Sequence, residues 1–163
     1  MKGIPREVEV SRPHKITNSI SIRNLRNAFS LNNEQKSILI GSLLGDANLN
    51  CDGWSRNYRL QFSQGNNQKD YLFWKFNAFR NCCASDPSYQ KWNNSWRIRT
   101  ISHPEFNQYA LKFYPGGNKV LPEKIEDLLN PLSIAVWFMD DGTLGPKTGY
   151  TVNTQNLDRK SVV

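Results

Sequence analysis

The chain has 163 residues and a formal net charge of +7, which suits one domain with a hydrophobic core and a polyanionic partner. No apolar run is long enough to predict a membrane span, and no apolar segment near the start predicts a secretion signal. The three cysteines form no Cys-x-x-Cys pair and the two histidines lie far apart, which argues against a disulfide framework and a zinc site and indicates a reducing, intracellular compartment.

Residues 1–30 are basic and contain few apolar side chains, with six lysines and arginines against only Glu7 and Glu9. We interpret this segment as an irregular arm with a short helix near residues 22–29. Two alternatives remain equally open for the arm: contact with phosphates, or a solvated and poorly ordered terminus.

The next predicted element is an apolar helix that ends near Asp46. Asn32 followed by Gln35 predicts a capping box at its start. The helix is apolar on nearly all sides, so it should be buried, most simply against a similar helix. Gly41 and Gly45 lie four residues apart on one face, where they let another backbone come close.

A strand is predicted after a polar, turn-rich segment over residues 48–57. Residues 57–63 alternate between polar and apolar side chains, as in a half-buried β-strand. The polar set consists of Arg59, Gln61 and Ser63. Arginine, glutamine and asparagine are the residues that pair with base edges, although polar outer faces are also ordinary in strands.

Residues 68–81 predict an amphipathic helix with a stripe of large side chains. The stripe consists of Tyr71, Leu72, Trp74, Lys75 and Phe79. We interpret it as packing over the sheet rather than as a platform for stacked bases.

A β-hairpin is predicted from residues 89–92 and 96–101, which turn at residues 93–95. Arg97 and Arg99 lie on one face of its second strand. The next helix opens at His103-Pro104 and stops near residue 115.

The last predicted helix repeats the first. It is preceded by a short helix over residues 122–129, and Asn130-Pro131 predicts its N-cap and first position. The apolar run over residues 132–139 then ends in Asp140-Asp141. The order of helices and strands indicates a mixed α+β fold.

Asp46 and Asp141 stand where the two apolar helices end, at the unfavourable negative pole of each helix macrodipole. If the helices pack side by side, two carboxylates meet, and a divalent metal ion would relieve their repulsion. Oxygen ligands suit Mg²⁺. One such aspartate would simply end a helix before a turn, but two matching ones favour a metal site.

Both apolar runs resemble the nine-residue motif of the LAGLIDADG homing endonucleases, at residues 39–47 and 134–142. The resemblance is closest to the single-chain, two-motif branch typified by the mitochondrial omega-intron endonuclease. There the first motif runs into Gly-Asp-Ala and the second reads Trp-Phe-Met-Asp-Asp-Gly, as at residues 45–47 and 137–142 here. It implies an α+β LAGLIDADG homing-endonuclease fold, in which an αββαββα half-unit forms an antiparallel saddle that sits in the DNA major groove.

The resemblance also implies the site. Asp46 and Asp141 would each hold Mg²⁺, or Mn²⁺ in its place, against one scissile phosphate. Asp141 is preferred to Asp140 as the ligand because it aligns with Asp46. The implied catalytic residues are Asp46, Asp141, Lys119, Gln61 and Gln155. For the lysine and the two glutamines, the alternative is an ordinary surface or strand residue.

The implied DNA-binding residues come from the strands and their connections. They are Asn48, Arg56, Asn57, Arg59, Gln61, Ser63, Gln90, Lys91, Asn93, Arg97, Arg99 and Asn153. The partner would be double-stranded DNA, with structured intron RNA as the alternative and no membrane.

We expect a basic arm over residues 1–30, a first half-unit over 31–118, and then a linker, the second motif helix and the first strand of an incomplete second half-unit over 119–163. Since only one strand-like stretch follows the second motif, we expect a truncated piece of a protein that is monomeric when complete. An inactive relic and a piece that needs a partner are the alternatives. The isolated chain should self-associate through apolar surface of the second motif helix.

The predicted function is a site-specific, intron-encoded, double-strand DNA endonuclease that hydrolyses phosphodiester bonds with a divalent metal. The alternatives are a LAGLIDADG-derived RNA maturase and an inactive DNA-binding remnant. The intact Asp46 and Asp141 favour the nuclease. The expected location is an organelle, mitochondrion or chloroplast, or the bacterial cytoplasm.

Overall fold

A computed structural model describes residues 19–51, 56–145 and 149–152 and confirms the α+β prediction. Five helices and six strands follow one another along these segments. They are α1 (Ile20–Ala28), α2 (Asn33–Leu44), β1 (Asn48–Asn50), β2 (Arg59–Gly65), α3 (Lys69–Phe79), β3 (Ser88–Gln90), β4 (Ser95–Arg99), α4 (Asn107–Phe113), α5 (Pro131–Asp141), β5 (Gly142–Leu144) and β6 (Tyr150–Val152). Within the described segments, every helix is too short or too polar to cross a bilayer.

The main sheet is antiparallel and has the strand order β1-β2-β4-β3, while β5 and β6 form a separate pair. Its register places Gln61 opposite both Asn48 on β1 and Arg99 on β4. Polar side chains on β1, β2 and β4 are therefore neighbours on one face of the sheet.

The alternation predicted for β2 is confirmed. Leu60 and Phe62 are buried, whereas Arg59, Gln61 and Ser63 remain partly exposed. Helix α3 covers the apolar face, where the ring centroids of Phe62 and Phe79 lie 5.3 Å apart. The sheet thus has one face in the core and one polar face.

Helices α2 and α5 pack against each other as predicted. The capping box of Asn32 and Gln35 is present, and Asn130 caps α5 together with Ser133. A side chain on Gly41 would collide with the Ser133 carbonyl oxygen, because the two backbones approach closely there. Gly45 has the same role one turn later, against Asp140.

Helix α1 is packed against the rest of the domain. A ring nitrogen of His103 lies 3.1 Å from the Arg26 carbonyl oxygen, and the Phe29 ring meets the His103 ring edge-on at 5.1 Å. Residues 20–29 are thus part of the folded body. The rest of the predicted arm, residues 1–18, lies outside the described residues.

Three local predictions need correction. The segment interpreted as turn-rich contains β1, because its asparagines pair in register with β2. Residues 122–129 form only a single 3₁₀ turn at Ile125–Asp127, because Lys124 adopts a left-handed backbone conformation (φ 54°) that a continuous helix cannot contain. The hairpin strands are shorter than predicted, since a 3₁₀ turn at Lys91–Asn93 and left-handed Asn94 connect them.

Candidate active site

The two aspartates meet at the ends of the paired helices. Helix α2 ends at Leu44, and the Gly45 N–H donates to the Gly41 carbonyl oxygen at 3.2 Å, so Asp46 is the first residue beyond the cap. Asp141 is the last residue of α5. Asp46 is exposed and Asp141 partly exposed, so both carboxylates remain open to solvent or a ligand.

Asp141 lies within electrostatic range of Asp46 and Asp140. Burial raises the pKa of Asp141, and the negative charges of Asp46 and Asp140 raise it further, while Lys119 and Lys75 act in the opposite direction. The ionised form of Asp141 is therefore destabilised until a cation approaches.

Lys119 lies beside this pair. Its ammonium group donates to the carbonyl oxygens of Gly45 at 2.6 Å and Ala47 at 3.1 Å, on either side of Asp46. Burial lowers the pKa of Lys119, and the charges of Asp141, Asp46 and Asp140 counteract this effect. The structure thus brings three predicted catalytic residues together.

Asp140 has a different environment from Asp141. Its carboxylate accepts hydrogen bonds from the Lys75 ammonium group at 2.8 and 3.0 Å, and the two side chains are 0% and 1% exposed respectively. Burial raises the pKa of Asp140 and lowers that of Lys75, and each charge partly offsets the effect of burial on the other. We treat them as an ion pair because both carboxylate oxygens face the ammonium group.

Gln64 links this ion pair to Asp46. Its amide nitrogen donates to Asp140 Oδ1 at 2.9 Å and lies 3.4 Å from Asp46 Oδ2. Two aromatic rings enclose Lys75, with Nζ 4.4 Å from the Tyr71 centroid and 5.3 Å from that of Phe62. The Tyr71 hydroxyl also donates to a carbonyl oxygen of α5, that of Val136, at 3.1 Å.

Sequence reasoning missed Gln64 and assigned Lys75 to the packing stripe of α3. Two signals could have found them. Lysine at a core-facing helix position needs a buried partner, since an unpaired buried charge is very costly. Gln64 continues the buried set of Leu60 and Phe62, so a polar group had to lie on the apolar face of β2.

The structure places Gln61 elsewhere. Gln61 lies on the polar sheet face, where its carbonyl oxygen accepts a hydrogen bond from Arg99 Nε at 2.8 Å. Its predicted catalytic role remains a prediction. Gln155 and Asn153 lie outside the described residues.

The polar sheet face gathers most of the predicted DNA-binding residues. Its register aligns Asn48, Arg59, Gln61, Ser63, Arg97 and Arg99 on one side, and Gln90 on β3 lies diagonally across from Arg97, opposite Ser95. Gln90 is buried and accepts from Arg97 Nη2 at 3.1 Å, so it supports the guanidinium group rather than standing free. Burial lowers the pKa of both Arg59 and Arg97, and repulsion from Arg99 lowers it further. A cluster of positive charge on an open face suits a polyanion.

The remaining predicted DNA contacts lie at the edges of this face. Arg56, Lys91 and Asn93 are exposed. Asn57 is directed toward α4, where its carbonyl oxygen accepts from Asn107 Nδ2 at 3.0 Å.

The oxygen donors of Asp46 and Asp141 are of the chemical type that a magnesium ion prefers. Within residues 19–51, 56–145 and 149–152, no three histidine, cysteine or acidic side chains come together as a metal cluster. Mg²⁺ nevertheless keeps several waters and is commonly held by one or two carboxylates together with substrate phosphates. Asp140 forms an ion pair with Lys75. Within the part of the chain that the structure describes, the carboxylates of this site without such a partner are those of Asp46 and Asp141, which repel each other.

Comparisons with known proteins identify the family of the chain. Residues 36–163 match the model of the LAGLIDADG DNA endonuclease family. The cytochrome b mRNA maturase bI2 of Debaryomyces hansenii is 33% identical over 122 residues, which cover 69% of this chain and 47% of the maturase. The DNA endonuclease I-ChuI of Chlamydomonas applanata is 28% identical over 131 residues, which cover 71% of this chain and 60% of that protein.

A solved structure shares the fold. The homing endonuclease I-WcaI, bound to its DNA recognition sequence, matches with a TM-score of 0.74 and 26% identity, covering 86% of this chain and 68% of that one. The chain thus covers less than two thirds of the length of either curated relative.

Proposed function

The chain belongs to the LAGLIDADG DNA endonuclease family, and we propose that it acts as a site-specific endonuclease that cuts both strands of duplex DNA with a divalent metal ion. The observation that supports this most directly is the meeting of Asp46 and Asp141 at adjoining helix ends, with Lys119 beside them. Like charges placed together at an open site are costly, and a metal ion with a phosphate offsets that cost.

The polar sheet face is the proposed DNA-binding surface. Arg59, Arg97 and Arg99 project from neighbouring antiparallel strands, and two-stranded ribbons fit the major groove of B-DNA. Arginine binds phosphates and also pairs with guanine, so one face provides both affinity and sequence selection.

The proposed chemistry is phosphodiester hydrolysis. Asp46 and Asp141 would hold Mg²⁺, or Mn²⁺ in its place, and the bound ion would lower the pKa of an attacking water and stabilise charge on the departing oxygen. Lys119 adds a positive charge beside the reacting phosphate while it fixes the backbone around Asp46.

A cleavage assay tests the proposal. The substrate is duplex DNA made by joining the sequences that flank the intron carrying the reading frame, incubated with Mg²⁺ or with EDTA. We expect cutting that requires the metal ion and is lost in Asp46→Asn and in Asp141→Asn, with DNA binding retained in both. Salt-dependent DNA binding without cutting by the unmodified chain would instead support an inactive DNA-binding remnant.

The second candidate function is that of an RNA maturase. It is favoured by the 33% identity to a protein named as a cytochrome b mRNA maturase over 69% of this chain. A chain that only binds folded intron RNA does not need metal-binding carboxylates. Alanine at both Asp46 and Asp141 should therefore abolish DNA cleavage and leave intron splicing intact if the chain has this activity.

The proposed setting is an organelle that contains introns, because a cytochrome b mRNA maturase is among the relatives. The proposed partner is double-stranded DNA, and intron RNA takes its place under the second candidate function. Splicing of the host intron in cells that lack the reading frame would separate the two candidate functions. Splicing should continue if the protein is an endonuclease and should stop if it is a maturase.

A further inference from the structure

Gln64 occupies an unusual position for a polar side chain. It lies on the apolar face of β2, in line with Leu60 and Phe62, and is only 4% exposed. Its amide nitrogen nonetheless reaches two carboxylates, Asp140 at 2.9 Å and Asp46 at 3.4 Å. A buried amide between two carboxylates calls for a reason beyond packing, because burying it is favourable only when its hydrogen bonds are made.

The orientation of the Gln64 amide is determined by its neighbours. Both facing groups are carboxylates, which only accept hydrogen bonds, so the NH₂ group and not the carbonyl must point toward them. Asp140 Oδ1 in turn accepts from Lys75 at 2.8 Å, which holds that carboxylate in one place. The side chains of Lys75 on α3, Asp140 on α5 and Gln64 on β2 thus form a buried hydrogen-bonded cluster.

Unlike the buried Asp140, Asp46 is exposed and follows the end of α2. A carboxylate in such a position rotates freely unless another group restrains it. A hydrogen bond from Gln64 to Asp46 Oδ2 restricts this rotation and does not engage the other carboxylate oxygen. Metal-binding carboxylates are commonly held by such outer hydrogen bonds.

We propose that Gln64 is a positioning residue for Asp46, and that the buried Lys75–Asp140 pair holds Gln64 in place for this purpose. The inference rests on the proposed function, because it assumes that Asp46 binds the metal ion. The glutamine that positions the carboxylate is then Gln64, and not Gln61, which contacts Arg99 instead. This role of Gln64 also explains why Asp140 is present beside Asp141 without serving as a ligand.

The first test compares Gln64→Leu with a matched control, Gln68→Leu. Gln68 is exposed on the turn before α3, so the same substitution there leaves the site untouched. Mn²⁺ binding to the full chain is measured from the electron paramagnetic resonance signal of free Mn²⁺, and thermal unfolding confirms that each variant is folded. We expect the Kd for Mn²⁺ to rise about 10–100-fold in Gln64→Leu and to stay within about twofold in the control.

A second variant tests the ion pair without leaving a buried charge unpaired. Lys75→Met combined with Asp140→Leu replaces the pair by apolar side chains of similar size, a change that proteins often tolerate well. This double variant should fold, yet it should bind Mn²⁺ more weakly, because Gln64 has lost its fixed neighbour.

The outcomes are distinguishable. If the unmodified chain neither binds Mn²⁺ nor cuts DNA, the proposed function fails and the inference fails with it. If the unmodified chain binds Mn²⁺ and cuts DNA, while folded Gln64→Leu has the same Kd for Mn²⁺ and the same Mg²⁺ dependence of cleavage, only the inference is overturned. A folded double variant with unchanged Mn²⁺ affinity would overturn the role of the ion pair.

Discussion

The adjacent residues Asp140 and Asp141 should respond to the same substitution in opposite ways. Asparagine at position 140 removes the partner of a lysine whose side chain is 1% exposed, and it offers one acceptor oxygen where Lys75 and Gln64 both present donors. Asparagine at position 141 removes a partly exposed carboxylate that Asp46 repels. The first change should affect mainly stability and the second mainly catalysis.

The magnitudes follow from burial. Breaking a buried ion pair costs about 3–5 kcal/mol, which in a domain of this size corresponds to a fall in Tm of about 6–20 °C. The raised pKa of Asp141 means that its ionised form opposes folding: stability is greatest below the unfolded pKa and is lost as pH rises through the folded one. Asp141→Asn should therefore be neutral or stabilising at pH 7, by less than about 1 kcal/mol because the group is largely solvated.

The assay combines urea denaturation at pH 7 with single-turnover cleavage well below both unfolding midpoints. We expect Asp140→Asn to unfold at lower urea and to keep measurable cleavage. Asp141→Asn should unfold like the unmodified chain and lose at least about 100-fold in rate, or about 2.7 kcal/mol of transition-state stabilisation. The reverse pattern, with a stable Asp140→Asn that cuts less than Asp141→Asn, would show that Asp140 is the ligand.

Four further predictions concern the rest of the structure. Lys119→Met should slow cleavage at least about tenfold with DNA affinity unchanged in gel-shift titrations, because it removes a charge beside the carboxylates; normal cutting would contradict this. Arg99→Ala should weaken DNA binding in anisotropy titrations and make the negative slope of log K against log salt shallower by about 0.9, and an unchanged slope would argue against a phosphate contact. Trp92→Ala should weaken DNA binding by about 5–100-fold if the ring stacks on a base, whereas Leu111→Ala, equally exposed at 75%, should not. Ile134→Ser should reduce self-association of the chain in light scattering, because Ile134 is 49% exposed on α5; a monomeric unmodified chain would refute this prediction.

The family and the α+β fold could be predicted from the sequence because their signals are local. The caps of α2 and α5 depend on residues three positions apart, and the buried face of β2 follows from strict alternation. These features are complete within one or two turns of helix or a single strand. The comparisons confirm the family that the two motifs indicated.

Boundaries were less predictable where backbone conformation broke a local pattern. Positive φ at Lys124 interrupts the helix predicted over residues 122–129, and positive φ at Asn94 shortens the hairpin strands. β1 was hidden in a polar segment, because its pairing partner on β2 and not its own composition makes it a strand.

The sequence by itself determined that two apolar helices end in carboxylates and that one strand face is polar, since both properties follow from side-chain order along one element. Only the tertiary structure decided which of the two adjacent carboxylates is buried in an ion pair and which remains partly exposed. Lys75 lies 65 residues from Asp140, and Gln64 lies 76 residues from it. No local pattern encodes a contact at such separations. The packing of α3, α5 and β2 buries Asp140 in an ion pair and leaves Asp141 open beside Asp46, because a charge that cannot reach water must find its partner within the fold.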